Sequence, residues 1–433
     1  MKTNIINTQP ASGFRDLLPK EKIFKQWCID TISCVFSKYG YDSIETPSLE
    51  RLEILEGKSG EEFNKLIFKI AQRGDKESED PDLGLRYDFT VPLARFLAEY
   101  KNKLPKIFKR QQIGPCWRAE RAGKGRFREF YQADIDTIGS KSLLVEVDTI
   151  LALSEALNKI GLNNLIVKIN SRELLQVIMD LYKIAPEKQN DCLVALDKFY
   201  KIGKDGVVQE LVSRGFNKQI GEDIVDILSD TTLLRKKIEL NELGAKSLKD
   251  IEQIVNLVNN NTKYAIAEFA PFIIRGQDYY TGIIFEIYSG DIPGSMAGGG
   301  RFDNLISIFS DDNNIPACGG SIGVERVVSV LEELGINSIT NIQPKILVSV
   351  WDNTMTFDAL NIATKLREQN LQTELFVGDE KIGEQLKYAV NSGCKYCVIY
   401  GPDEKNKKEI IIKNLETKEQ QNIPLLELTN FHF

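Results

Sequence analysis

Between residues 118 and 139 the chain reads RAERAGKGRFREFYQADIDTIG. Arg118, Arg121, Lys124, Arg126 and Arg128 place five cations within eleven residues, around two glycines, and the stretch closes on Asp134 and Asp136. In an extended strand alternate side chains share a face. One face carries Arg126, Arg128, Phe130, Gln132, Asp134 and Asp136. The other carries Phe127, Glu129, Tyr131, Ala133, Ile135 and Thr137 and suits a core. The first face runs from cation to ring to amide to carboxylate. From Phe130 to Asp136 it covers roughly 20 Å at about 3.3 Å per residue. An extended ligand fits that order: phosphates, then a flat base, then a cationic or hydrogen-bond-donating group. ATP laid beside an amino acid has this order. A solvated, mixed-charge hairpin at a sheet edge is the plainer alternative.

Two further segments offer arginines. In IIRGQDYYTGIIFE, Arg275 stands between an apolar run and a glycine, with two tyrosines following. It could stabilise charge on a transferring phosphoryl group, or make a structural ion pair. In GGSIGVERVV, Val324, Val327, Val328 and Leu331 form the stripe of a packed helix. Arg326 then projects from the first turn, near N–H groups that favour anions. Gly319, Gly320 and Gly323 permit close approach. A tight turn with a surface arginine is the other reading. The run AGGGRFDNL (Gly298 to Gly300) shows only that something passes close to its backbone. Neither a phosphate-binding P-loop nor a dinucleotide-binding glycine pattern in βαβ context is present.

Composition narrows the chemistry. The chain has 433 residues, enough for two or three domains, and one histidine, His432. Histidine-based triads and metal sites are thereby excluded as core chemistry. Net charge is −7, which argues against bulk nucleic-acid affinity, yet ten Lys and Arg lie between Lys101 and Arg128 with Glu120 as the one acid. That strip can bind a polyanion. No apolar run reaches the roughly 18 residues of a membrane span, and MKTNIINTQPASGF lacks a signal-peptide core. A cytoplasmic protein is expected. The seven scattered cysteines read as reduced thiols. In CKYC, Cys394 and Cys397 are read as structural, against zinc or redox use.

The elements that must position these groups follow from periodicity and punctuation. Residues 21–38 predict an amphipathic helix with Ile23, Trp27 and Val35 on its apolar side, stopping at Gly40. Residues 85–100 predict a turn entering a helix near Pro92, and 106–138 a long hairpin whose tip is RAGKG. Residues 141–160 predict a helix, with Leu144, Val147, Ile150 and Leu151 on one side. After the strand LIVKI, helical stretches run to about residue 262. Strands and glycine-rich turns return after that, and beyond Pro344 β and α segments alternate as in a small α/β domain. The expected domains are 1–164 and 263–340 as two parts of one catalytic domain, 165–262 as a mostly helical insertion, and 341–433 as the α/β domain.

These pieces in this order resemble a class II aminoacyl-tRNA synthetase, and histidyl-tRNA synthetases in particular. ASGFRDLLP is similar to that family's N-terminal signature, YGYDSIETPSLE to motif 1, WRAERAGKGRFREFYQADIDTIG to motif 2, RGQDYYTGIIFE to the histidine-specific segment and GGSIGVERVV to motif 3. LRYDFT and DIDTIG are worded as in the eukaryotic-type branch. The resemblance spans essentially the whole chain. It implies an α+β fold: an antiparallel catalytic sheet with flanking helices, a helical insertion and a C-terminal α/β anticodon-binding domain. It implies ATP-dependent ligation of L-histidine to the 3′ end of tRNA(His) through a histidyl adenylate, with Mg2+ accompanying ATP, no membrane association, and a homodimer formed around Pro47. Arg118 would hold the histidine carboxylate and the α-phosphate, and Arg275 would face the α-phosphate. Glu120 would sit near the adenine amino group, Phe130 would stack on adenine, and Arg126 and Arg326 would grip the outer phosphates. Asp88, Thr90 and Gln132 would take the α-amino group. Asp136, Tyr279 and Tyr280 would line the imidazole site.

Two positions depart from the family pattern. Phe302 stands where relatives usually carry tyrosine, which places more of the selectivity on Asp136 and Tyr280. The tip RAGKG replaces the usual bacterial RPQKG. From Lys345 onward eleven Lys and Arg face thirteen Asp and Glu, so that domain would rely on hydrogen bonds and stacking with unpaired bases. A non-catalytic paralogue that regulates histidine biosynthesis, and a class II synthetase for another amino acid, are the competing readings.

Overall fold

A computed structural model of the chain describes residues 7–56, 65–71, 82–123, 126–274, 279–290, 292–309, 315–336 and 344–433. Two compact units emerge, Met1–Ser338 and Ile339–Phe433. In the first unit, β2 (Leu49–Arg51), β3 (Lys69–Ile70) and β4 (Leu83–Leu85) make a small antiparallel sheet. Its main sheet takes β1 (Asp42–Ser43), β5 (Phe108–Trp117), β6 (Glu129–Ile138), β7 (Leu165–Ser171), β8 (Ala265–Phe269), β9 (Ile283–Ser289), β10 (Ala297–Arg301) and β11 (Ala317–Gly323). The order across it is β1-β5-β6-β11-β10-β9-β7-β8. From β5 to β7 every pair is antiparallel, as expected. One short parallel strand is added at each edge, β1 on β5 and β8 on β7.

The hairpin β5–β6 supplies the longest ladder, running from Phe108↔Ile138 to Trp117↔Glu129. The strand read as the head of the helical segment behaves differently from that reading. As β7 it pairs with β9 in the main sheet, with Leu165, Val167 and Ile169 buried. The six helices therefore occupy 172–261.

The helix Pro19–Lys38 starts on a proline whose missing N–H costs nothing at that position. Glu21 reaches back to accept from the Leu18 N–H at 2.7 Å. The chain turns away two residues after Lys38, at Gly40, whose φ of +79° glycine adopts without steric cost. Phe24, Cys28, Ile32, Val35 and Phe36 form the helix's buried side, whereas Ile23 points to solvent. The helix Leu144–Lys159 buries Val147, Ile150 and Leu153, and its first residue, Leu144, stays exposed at the helix end.

In the second unit, β12 (Ile346–Val348), β13 (Thr373–Leu375), β14 (Tyr396–Ile399), β15 (Glu409–Asn414) and β16 (Gln420–Pro424) order as β13-β12-β14-β15-β16. The first three are parallel, as their helical crossovers Thr356–Glu368 and Ile382–Asn391 require. Ile346, Val348 and Val398 pack on one face with Ile362 and Leu366. Leu347, Cys397 and Ile399 pack on the other with Ala389, and Cys394 joins that apolar layer.

One buried ion pair ties helix to helix. Lys25 and Glu325 are in contact, and each side chain is only 6% exposed. The Lys25 ammonium also lies 3.7 Å from the Tyr131 ring centroid. Burial pulls the Lys25 pKa down and the Glu325 carboxylate pushes it back up. Removing one partner leaves an uncompensated charge. Lys25→Met should cost about 3–5 kcal/mol, seen as a large fall in Tm by calorimetry. Adding Glu325→Gln should restore part of that loss. An unchanged Tm in the single variant would refute this account of the pair.

Candidate active site

Asp88, Thr90, Gln132, Asp136, Tyr279 and Tyr280 all line one cavity, with about 350 Å³ of empty space including its mouth. Asp134, Phe302, Gly298, Gly319, Gly320 and Ser321 complete it. The strand alternation is the reason Gln132, Asp134 and Asp136 stand in a row. On one side of them β5 places Gly114, Gln112 and Arg110 in register, and on the other β11 places Gly323, Ser321 and Gly319. Asp88 comes from the turn after β4. Its Oδ1 accepts from the Val91 N–H at 3.2 Å, at the start of the helix Thr90–Tyr100. Phe302 packs against Tyr279, ring centroids 5.9 Å apart, in the apolar cluster that also holds Tyr280.

Several glycines of β10 and β11 stand where a side chain would collide. A Cβ on Gly319 would stand 1.8 Å from Asp136 Oδ1 and 2.5 Å from the Ile135 carbonyl oxygen. One on Gly299 would stand 2.1 Å from the Gly319 carbonyl oxygen, and one on Gly300 2.9 Å from the Tyr280 ring. The close neighbours are the adjacent strands and the cavity's own side chains.

The cavity is short of donors. Asp88 Oδ2, Gln132 Oε1 and Asp134 Oδ1 are buried without a hydrogen-bond partner among the described residues. Gln132 donates through Nε2 to Ser321 Oγ at 3.0 Å. Arg110, on β5 directly across from Asp136, is fully buried and in ion-pair contact with it, though the pair is not aligned as a hydrogen bond. Burial raises Asp134 to about 7, with Arg110 opposing and Asp136 adding to the rise. Burial raises Asp136 to about 6, again opposed by Arg110. Asp88 is raised by burial and lowered by the Val91 N–H and by Arg118. Unmet buried acceptors cost about 1–3 kcal/mol each. A cation or N–H donor entering here removes that cost.

A second cleft, with about 1060 Å³ of empty space including its mouth, adjoins the tip end of β6. Arg118, Glu120, Arg126, Phe130 and Arg326 all line it, with Tyr131, Ser295 and Glu325. Arg118 sits toward the first cavity: its Nε donates to the Tyr87 carbonyl at 3.1 Å, and its guanidinium carbon lies 5.0 Å from the Phe130 centroid. Arg126 pairs with Glu120, and Arg326 donates to the Pro293 carbonyl. Glu325 accepts from the Tyr131 N–H as well as from Lys25, which fixes the first turn of the helix Val324–Glu333 against β6.

The alternation is less clean near the tip. Phe127 and Tyr131, assigned to the core face, also touch this cleft. Arg128, assigned to the ligand face, donates instead to the carbonyls of Glu120 (3.1 Å) and Ser12 (3.0 Å). Gly13 lies beneath it at φ +84°, so the N-terminal ASGF segment is clasped to the hairpin. Arg275 and Lys124 lie outside the described residues.

Residues 13–327 match the family model of histidyl-tRNA synthetase, and residues 343–431 that of an anticodon binding domain. The chain belongs to the histidyl-tRNA synthetase family. Histidine--tRNA ligases of Gloeobacter violaceus and Cytophaga hutchinsonii are 36% and 35% identical to it, over 95% and 96% of this chain and 96% and 98% of theirs. The crystal structure of histidyl-tRNA synthetase from Nostoc sp. PCC 7120 superposes with a TM-score of 0.84 at 28% identity, covering 98% of this chain and 99% of that one. For this histidyl-tRNA synthetase family member, sequence reading gave no role to Asp134, Ser321, Glu325 or Arg110. Asp134 shares the parity of Gln132 and Asp136, which was the available signal. Arg110 required the register of the hairpin.

Gly319→Ala should destabilise the protein by about 1–3 kcal/mol or more, since its new methyl meets backbone and a buried carboxylate. Gly123→Ala, which meets nothing within 4 Å, should change stability by less than about 0.5 kcal/mol. Denaturant unfolding of the two variants checks the contrast; equal effects would contradict it.

Proposed function

We propose that this chain ligates L-histidine to the 3′ end of tRNA(His), using ATP and releasing AMP and pyrophosphate. The observation that carries this reading is the pair of adjoining cavities along β6. Unmet buried carboxyl and amide acceptors lie at one end, and arginines with an aromatic ring at the other.

Histidine enters the first cavity with its α-amino group toward Asp88, Thr90 and Gln132, and its imidazole toward Asp136, Tyr279 and Tyr280. ATP lies in the second, with adenine on Phe130, its amino group near Glu120, and its outer phosphates on Arg126 and Arg326. Arg126 already pairs with Glu120, so nucleotide binding redistributes an existing contact. Arg118, positioned between the cavities, holds the histidine carboxylate and the α-phosphate together. A carboxylate oxygen attacks the α-phosphorus, pyrophosphate leaves, and histidyl adenylate remains. The terminal ribose hydroxyl of the tRNA then attacks the histidyl carbonyl carbon and AMP departs. Positioning and charge stabilisation suffice for both steps, and neither calls on a protein histidine. Arg275 is assigned to the α-phosphate.

Mg2+ fits as the companion of ATP, because such ions take one or two carboxylates plus phosphate oxygens. Glu120 is the carboxylate on the cleft wall that could take part, since Glu325 is committed to Lys25 and the Tyr131 N–H. When bound, the ion would offset phosphate charge. The second unit is assigned to the tRNA anticodon. Its sheet has the α/β build of that domain type and its charge is slightly acidic, so recognition rests on hydrogen bonds and stacking. A homodimer formed around Pro47 and a cytoplasmic location complete the reading. No helix among the described residues is long and apolar enough to cross a membrane.

Histidine-dependent exchange of pyrophosphate into ATP tests the activity, and its absence would leave a non-catalytic binding protein. Exchange driven by a different amino acid would reassign the substrate. Asp136→Ala should raise KM for histidine by about 10- to 150-fold, the worth of one hydrogen bond to a charged group, and leave KM for ATP nearly unchanged. Equal effects on both would break the assignment of the two cavities. Arg275→Ala should keep the Tm and lose about 100-fold or more of the adenylation rate. A near-normal rate in that variant would remove its assigned role.

A further inference from the structure

Asp134 stands mid-wall in the histidine cavity and has no part in the roles assigned above. It lies two residues from Gln132 and two from Asp136, on the same face of β6. It is 4% exposed, and Oδ1 has no partner among the described residues. Around it, Arg110, Cys116 and Arg118 come from β5 and its end, Asp136 from β6, Asp88 from the turn before the helix Thr90–Tyr100, and Tyr280 from the cavity rim. Strand β11 offers Ser321 and glycines only.

Three buried carboxyls therefore share one buried guanidinium, that of Arg110, with Arg118 reaching Asp88 from the nucleotide side. A water-poor cavity does not hold such an excess of negative charge, so one carboxyl keeps a proton. Asp136 has the direct ion pair. Asp134 has none, its Oδ1 is unmet, and burial together with the Asp136 charge raises its pKa, so it keeps the proton.

We propose that Asp134 is a further binding residue of the histidine site, a carboxyl that ionises as the amino acid's ammonium group enters. This rests on the reading of the cavity as the histidine site. The Oδ–H bond breaks, the electron pair stays on the carboxylate, and the proton passes to solvent. The new carboxylate faces the ligand's positive charge. A ligand of similar size that lacks the ammonium group gives Asp134 no reason to ionise and leaves its acceptor unmet. Protons compete with histidine below about pH 7, so affinity rises with pH through that window and flattens above it.

Calorimetric titration of histidine near pH 7, in buffers of different ionisation enthalpy, counts the protons released. The native protein should release more protons per histidine than Asp134→Asn, because the raised carboxyl gives up its proton on binding. In the variant the acidic-side rise in KM for histidine should move to lower pH, where Asp136 titrates, with the KM for ATP kept. Equal proton release by the two proteins would overturn the proposal. If the variant does not fold, the native protein decides alone, titrated with an alanine bearing a 1,2,4-triazole, a ring that does not protonate near neutrality. Proton release near pH 7 that fades as the pH rises supports the proposal, and no release near pH 7 refutes it. Failure of the native protein to bind histidine at all would instead sink the reading of the cavity.

Discussion

Arg110 is a cation sealed from water, and much of the first unit is arranged around it. A buried guanidinium requires an anion in contact, and Asp136 meets it from the facing position of the hairpin. Holding that carboxylate against β11 leaves no room for a side chain on Gly319. The same crowding passes to β10, where a side chain on Gly299 would strike the Gly319 carbonyl. Gly319 thus answers to the ion pair, and Gly299 to the close approach of the neighbouring strand.

Along β6 the surroundings change from dry to wet. At the Asp136 end the carboxyls are fully buried and burial dominates their titration. At the tip end Arg126 is 65% exposed and paired with Glu120, so its charge is screened and contributes little to stability. The two ends suit different chemistry. A buried acceptor discriminates sharply between ligands that do and do not bring a donor. Half-exposed arginines can exchange one anionic partner for another at small cost. The Lys25–Glu325 pair and the Tyr131 N–H hold the helix Val324–Glu333 against this strand, which fixes where Arg326 can reach.

Most of the fold was legible because its signals are local. Alternation gave the row Gln132, Asp134, Asp136, and a 3.6-residue stripe gave the buried side of the helix Val324–Glu333. The misassignments have physical reasons. LIVKI precedes a run of helices in sequence, yet β7 finds its partner β9 more than a hundred residues later. Arg128 has the right parity for a ligand face but is diverted by two backbone carbonyls. Leu144 and Ile23 fit a helical stripe and fall outside the buried arc. Arg110 could not be placed from the tip. Gly123 pairs with Arg126 there, while the arms pair Arg118 with Arg128 and Arg110 with Asp136. Counting back from the tip misses the true partner by three residues.

That offset has an effect on how the molecule tolerates change. Four residues, 119–122, span on one arm what residue 127 alone spans on the other. The slack is local, because the ladder resumes at Arg118 and Arg128 and continues undisturbed to Phe108 and Ile138. Alterations in the turn are absorbed before they reach the paired strands, much as a loose coil at the end of a rope leaves the taut length alone. The turn can therefore diverge in composition while the groups deep in the sheet keep their opposite numbers.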